Sequence, residues 1–435
     1  MSLAEVRLWG RRIGAVRWDS QRSLGWFEYD APFLASGVQL APLSMPLAPG
    51  IHGFPALAGS SFQGLPGLLA DSLPGDFGDA LINTWLEREG RAPESFNPVD
   101  RLCCIGSRGR GALEYLPVTG PCADEPVLLD LATLLALASD ILRRRNAVQS
   151  SFAFHEGNEE LAELLRVGIP TWGAAAGAVV AWHAKSGELR CGDLAPPADF
   201  SCWLLKFSGV SGNGEHEAAA ASAQLEFAAS LMARKAGIHV EECRLLEESG
   251  RHHFMSRRSD RNPEGGKLHL QTLAALTHGD DRQAQGGSWE QALGVVRQLG
   301  LGMDALEELF RRMAFSIVAH TRENQMKSIA FLMDRSGRWS LAPASGLGSG
   351  YTNFDTPGGA KGGQPMSLNG KRDGFLRDDF RHCARQLAMK RGRAERILDE
   401  VREAVLSWPA CAREAGVPER DVRRIAKMQR LQFPG

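Results

Sequence analysis

The sequence carries no excess of either charge: 50 basic residues stand against 51 acidic ones, for a formal net charge of -1. No global field therefore draws the chain onto nucleic acid or an anionic membrane, and any such binding has to come from a local patch. Long apolar runs are also missing, none approaching the ~20 residues that cross a bilayer. The opening MSLAEVRLWGRR has no h-region, so an unsecreted, cytoplasmic protein without a membrane partner is expected. The eight cysteines, at 103, 104, 122, 191, 202, 243, 383 and 411, fall at no CxxC spacing and form no regular framework. That excludes a disulfide scaffold and fits a reduced compartment. Cys103 and Cys104, adjacent in RLCCIG, read as small core residues rather than metal ligands.

What is present is a change of character along the chain. With 435 residues, two or three domains can each bury a core. VRLWGRRIGAVRWD and LGWFEYD alternate around Gly10 and Gly14, predicting antiparallel strands. LLADSLPGDFGDALINTWLEREGR has helical spacing, and GPCADEP breaks the pattern near residue 122. PVLLDLATLLALASDILRRR and EGNEELAELLRVG predict helices, the second opened by Asn158. AGAVVAWHA and CWLLKFSGV predict strands of a second, mixed sheet. His216 to Gly237 predicts an alanine-rich helix closed by glycine. CRLLEES and RHHFMSRRSD predict strands, and THGDDRQAQGGS a loop. From Trp289 onward the chain is mostly helical, with one hairpin, IAFLMDRSGRWSLAP, set into it. The expected fold is α+β: a β-rich subdomain over 1–122, a mixed-sheet lobe over 123–285 and a helical lobe over 286–435.

Three groups of residues invite chemistry. Lys206 in WLLKFS sits among apolar neighbours, and a lysine inside a strand needs a partner or a route to water. In kinases such a lysine meets nucleotide phosphates and a helix glutamate, and Glu226 interrupts the next helix's apolar face. The bland alternative is a solvent-facing lysine on an edge strand. The loop VGIPTWGAAAG, with Gly168, Gly173 and Gly177, suits a phosphate cradle but offers Thr171 as its one hydroxyl, and composition favours a plain connection. RRSDR, containing Asp260, and SRGRG suit a nucleotide, a phosphate or a lobe junction, against a solvated charge run or a simple turn.

Together these segments resemble the HipA family of serine/threonine kinase-like toxins over essentially the whole chain. The resemblance is carried by LPGLLADSLPGDFGDALI, NPVDRLCCIGSRGRGALEY, WLLKFSGVSGNGE, RRSDR, FLMDRSGRWSLAP and MSLNGKRDGF. It implies a two-lobed protein-kinase-like fold with an added N-terminal subdomain. It also implies a bacterial toxin–antitoxin setting, in which the toxin phosphorylates a protein and is held by a DNA-binding HipB-type antitoxin.

Against the family pattern N-x-D-D-H-x-K-N, residues 321–328 read TRENQMKS, and only Lys327 survives. Glu323 stands at the base position, one methylene longer, followed by Asn324 and Gln325. Misplacing a reacting group by ~1 Å costs ~10²-fold. Ser328 and Gly346 occupy the two Mg²⁺-ligand positions, and Mg²⁺ needs near-octahedral oxygen coordination. Asp334 and Asp355 are the nearest substitutes. In the phosphate loop, Ile169, Ala175 and Gly177 replace the hydroxyl, the arginine or glutamine, and the lysine, while Trp172 replaces a small residue. Gln364 stands at a family histidine.

The expectation is a pseudokinase with no metal site and no required cofactor. Lys206, Glu226, Gly173 and Asp260 are the nucleotide-binding candidates, for ATP without a well-formed Mg²⁺ site. The expected partners are a HipB-like antitoxin, an active HipA-like relative, or a peptide or protein substrate. Direct nucleic-acid binding through RDVRRIAKMQR is not expected. The alternative is a residual Ser/Thr kinase or a repurposed transferase using Glu323 and Lys206.

Overall fold

A computed structural model describes residues 2–120, 128–146, 158–173, 175–192, 199–210, 221–262, 265–279, 286–322, 325–351 and 363–434. The first sheet is built from β1 (Leu3–Leu8), β2 (Arg11–Asp19), β3 (Leu24–Tyr29), β4 (Ile51–His52) and β5 (Leu113–Leu116), in the order β4-β3-β2-β1-β5. Trp9 and Gly10 both take positive φ, 52° and 78°, the geometry a two-residue hairpin requires. Ala4, Val6 and Leu8 face the core and Glu5 and Arg7 face outward. Alternation in the sequence and alternation in burial coincide here. The helical stretch after it is split: Gly67–Ala70 and Asp76–Arg88 are separate helices, because Pro74 has no N–H to continue a helix. The boundary segment around residue 122 lies outside the described residues.

The second sheet contains β6 (Gly177–His183), β7 (Leu189–Cys191), β8 (Phe200–Lys206), β9 (Cys243–Glu248) and β10 (Arg251–Arg257), in the order β7-β6-β8-β10-β9. It is antiparallel throughout, not mixed as expected. The reason is local: β6–β7 and β9–β10 are hairpins, the latter turning through Ser249 and Gly250 at positive φ. The helix Ser222–Lys235 packs on β9 and β10. Of the alanine-rich segment, residues 216–220 lie outside the described residues.

A third sheet, β11 (His269–Thr272), β12 (Ala330–Met333) and β13 (Trp339–Leu341), joins the parts. The expected hairpin supplies β12 and β13. β11 was not expected, because four residues (HLQT) running straight into the helix Leu273–Thr277 give too short an alternation to register. This sheet touches the N-terminal subdomain closely. Trp9 Nε1 donates to Lys267 O at 2.8 Å, Thr272 N and Oγ1 donate to Asp71 at 2.6 and 2.8 Å, and Met333 belongs to the subdomain's core. The helices Gly302–Ala319 and Arg393–Leu406 centre the largest core, with Trp289 and Trp408 fully buried. Cys103 and Cys104 are buried and free, as small core residues should be. No helix among the described residues is long and apolar enough to cross a membrane.

Candidate functional site

Lys206 ends β8, which lies between β6 and β10 and is not an edge strand. Its Nζ is 2.6 Å from Glu226 Oε1, on the helix Ser222–Lys235, and 5.6 Å from the Phe254 ring centroid. The Glu226 side chain is only 6% exposed, so the ammonium supplies a charge that this carboxylate needs. The segment bearing Gly346 runs past the same helix: a Cβ on Gly348 would lie 2.4 Å from Glu226 Cα. The strand lysine, its helix glutamate and the segment bearing Gly346 are thus brought together.

At one of the two positions where the resemblance places a metal ligand, Gly346 brings no side chain to bind one. Gly346 has φ +69°, and among the described residues, its chain neighbours aside, nothing lies within 4 Å of an added Cβ. Asp334 is committed to its hairpin turn, accepting from Ser336 N at 2.8 Å and Arg338 N at 3.1 Å. The Ser336 hydroxyl, with further bonds from Ser336 and Arg338, holds its carboxyl down to about 2. Among the described residues no group of three or more His, Cys, Asp or Glu is placed to hold an ion. Asp355, Glu323 and Asn324 lie outside the described residues. Gln325 is exposed on a turn, its carbonyl accepting from Ser328 N at 2.9 Å. Gln364 is buried against the end of the Gly302–Ala319 helix, its amide bonded to Ser316.

The glycine-containing loop before β6 turns its one hydroxyl inward. Thr171, 2% exposed, donates its hydroxyl to Gly168 O at 2.6 Å. The loop's carbonyls serve as acceptors for the start of the Asp76–Arg88 helix: Gly75 N donates to Thr171 O at 3.0 Å and Asp76 N to Gly173 O at 3.2 Å. Gly173, at φ +84°, therefore docks the N-terminal subdomain. The fit at Gly75 is tight, since an added Cβ would lie 2.1 Å from Gly173 O. Gly75→Ala is expected to destabilise the fold by ~1–3 kcal/mol through overpacking; a thermal melt with unchanged Tm would contradict this docking.

The two arginine clusters that the sequence presents separately form one buried network. Arg258 Nε and Nη2 bind Asp260 at 2.9 and 2.7 Å, Arg261 Nη1 binds it at 2.9 Å, and Gly111 N donates to it at 2.6 Å. Arg258 and Arg261 also donate to Gly109 O, and Arg261 to Gly111 O. Asp260 is therefore no solvated charge. Burial alone would raise its pKa, but Arg258 and Arg261 hold it far below the usual carboxylate range. Its contacts join the SRGRG loop to the end of β10, the lobe-junction arrangement that the sequence offered beside nucleotide binding. Trp172 lies beside this network, with Arg110 Cζ 5.1 Å and Arg258 Cζ 5.5 Å from its ring centroid.

Two carboxyls near these cations escaped the sequence reading. Glu241 accepts from Ser259 Oγ at 2.8 Å and is pushed up to about 7 by burial, against the pull of Ser259, Arg110 and Lys206. Asp71 is likewise raised by burial, against its bonds from Thr272 and the nearby charges of Arg110 and Lys327. Asp71 stands in LLADSLPG, but only the tertiary contact with Thr272 marks it out.

Residues 4–116 match the HipA N-terminal domain and residues 173–408 the HipA-like C-terminal domain. The chain belongs to the HipA family. Among solved structures, HipA of Shewanella oneidensis MR-1, in complex with HipB and its operator DNA, superimposes with a TM-score of 0.65 at 15% identity. That match covers 98% of this chain and 95% of that one. The two share a fold, α+β and kinase-like with the HipA N-terminal subdomain. The Helicobacter pylori proinflammatory kinase CtkA is a weaker likeness, with a TM-score of 0.35 at 11% identity over 52% of this chain and 85% of that one. No curated protein matches the sequence.

Proposed function

We propose that this HipA-family protein acts by binding, as a regulatory member of a toxin–antitoxin pair or a scaffold for another enzyme, and that it has lost ordinary phosphotransfer. The observation that carries this reading is the state of the phosphate loop. Its one hydroxyl bonds to its own backbone, its carbonyls hold the N-terminal subdomain, and its last position, Gly177, leaves a Cβ only 2.4 Å from Leu205 O. Gly346 supports it, because a site without a carboxylate there forfeits the Mg²⁺ stabilisation that phosphoryl transfer relies on. A HipB-like antitoxin is the first partner to seek, since the Shewanella HipA was solved with HipB; an active HipA-like relative or a protein substrate comes next. That complex also contains operator DNA, so the expectation of no nucleic-acid contact stands without support.

Calorimetry with ATP, with and without Mg²⁺, tests the reading on the unmodified protein and on Lys206→Ala. The expected result is no binding heat in any arm. Lys206-dependent binding that Mg²⁺ tightens would overturn it. One observation favours a second reading: the Lys206–Glu226 pair is fully assembled at 2.6 Å, as a nucleotide site needs. On that reading the protein is a residual kinase or an altered transferase using Glu323, and product formed from ATP should vanish in Glu323→Ala.

A further inference from the structure

The junction network leaves one strong donor over. Arg258 is 3% exposed, and its Nε and Nη2 are spent on Asp260 and Gly109 O, yet its Nη1 has no hydrogen-bond partner. A buried charged donor without an acceptor is costly, at ~1–3 kcal/mol or more. Beside it lies the Trp172 ring, which attracts a cation through its π face but supplies no oxygen. Arg110, from the SRGRG loop, comes to the same ring and is half-buried. Two guanidiniums from separate elements thus converge on one indole. We propose that Arg110 and Arg258 form a latent site for a phosphate-type oxyanion, which the Trp172 indole covers in the state seen here.

The chemistry fits the class of ligand. Planar guanidiniums offer forked N–H pairs that suit the oxygens of a phosphate group, and the orphaned Nη1 would gain the acceptor it lacks. Three carboxyls oppose an anion here: Asp260, which stays ionised and offsets part of the charge of Arg258 and Arg261, and Glu241 and Asp71 near Arg110, both driven toward the neutral form by burial. Trp172 lies between Thr171 and Gly173, whose carbonyls accept from Gly75 N and Asp76 N, so the indole leaves the guanidiniums by side-chain rotation with that backbone docked. The loop's own hydroxyl is spent on Gly168 O, so the site is made of guanidiniums and not of a glycine-loop cradle. The proposal rests on the loop reading given above.

The test is calorimetry on the full chain with two probes, inorganic phosphate and O-phosphoserine, comparing the unmodified protein with Trp172→Ala and with Trp172→Leu. Leucine retains bulk for packing while removing the π face, so the pair guards against a folding failure in one variant. The expected result is a Kd lowered by about tenfold or more, the equivalent of ~1.4 kcal/mol, and abolished when Arg110→Ala is added. A preference for O-phosphoserine would assign the site to a phosphorylated side chain of a partner, and equal binding would assign it to free phosphate. Folded variants with no gain for either probe, or a gain that survives Arg110→Ala, would overturn the proposal. Mg·ATP binding by the unmodified protein would instead sink the pseudokinase reading, so the two failures are separable.

Discussion

Asp260→Ala is expected to lower stability by ~3–5 kcal/mol, because it strands two cations where water cannot reach them. The Arg258 side chain is fully buried and that of Arg261 is 9% exposed; both lean on the one carboxylate, which also holds Gly111 N. Removing it breaks the joint between the SRGRG loop and β10, so the N-terminal subdomain should loosen from the second sheet as well. Urea denaturation followed by fluorescence should show a lower midpoint, and two separated transitions would be the sign of the lost coupling. Asp260→Asn, which keeps the shape without the charge, should recover only part of the loss. The pH dependence has a fixed sign. The folded-state pKa is depressed, so the stabilisation is fully present above the unfolded value of ~4 and is lost progressively as pH falls from there through the folded value. Stability contributed by this group should therefore be flat from neutral pH down to about 4. A variant as stable as the parent at pH 7 would refute the network's role.

Restoring the family lysine is the second large effect. Gly177→Lys is expected to destabilise by at least ~1–3 kcal/mol without creating Mg·ATP binding. Gly177 opens β6 opposite Lys206, where an added Cβ would meet the Leu205 carbonyl oxygen at 2.4 Å and come within 3.5 Å of Lys206 Cα. These are backbone atoms of a central strand, so relief requires moving the strand that carries the Lys206–Glu226 pair, and overpacking of this kind costs about that much. For the same reason, Gly346→Asp with Ser328→Asn and Glu323→Asp should not suffice. Gly346 has room for a side chain, but the loop facing the phosphates remains docked on Gly75. Thermal denaturation and ATP calorimetry on both variants check this. A stable Gly177→Lys protein that binds Mg·ATP would mean that β6 and β8 shift freely and that the loss is one of ligands alone.

The legible parts of this protein were those written in short-range pattern. Alternation through VRLWGRRIGAVRWD with Gly10 announces the first hairpin, because side-chain direction in a strand has period two and a tight turn needs positive φ, whereas Gly14, read beside it, lies within β2. Lys206 and Glu226 were legible for a different reason: each interrupts an apolar face, and two such interruptions on neighbouring elements imply a pair. That Gly346 brings no side-chain ligand was also legible, since it is a property of residue type. Pairing direction in the second sheet was misread, because strand sequence fixes which face is buried but not which neighbour is chosen. β11 was missed because four residues carry too little pattern.

The sequence by itself determined the family, the order of the elements and the absence of a metal-ligating side chain at Gly346, since these depend on residue identity and local periodicity. Only the tertiary structure decided that SRGRG and RRSDR are one buried network, that Asp260 faces Arg258 and Arg261, and that Trp172 lies against Arg110 and Arg258. Each of these joins residues far apart in the chain. Charge runs look alike in sequence whether they are solvated or buried. What separates them is the desolvation that packing imposes, which makes a carboxylate between two guanidiniums necessary only once water is gone.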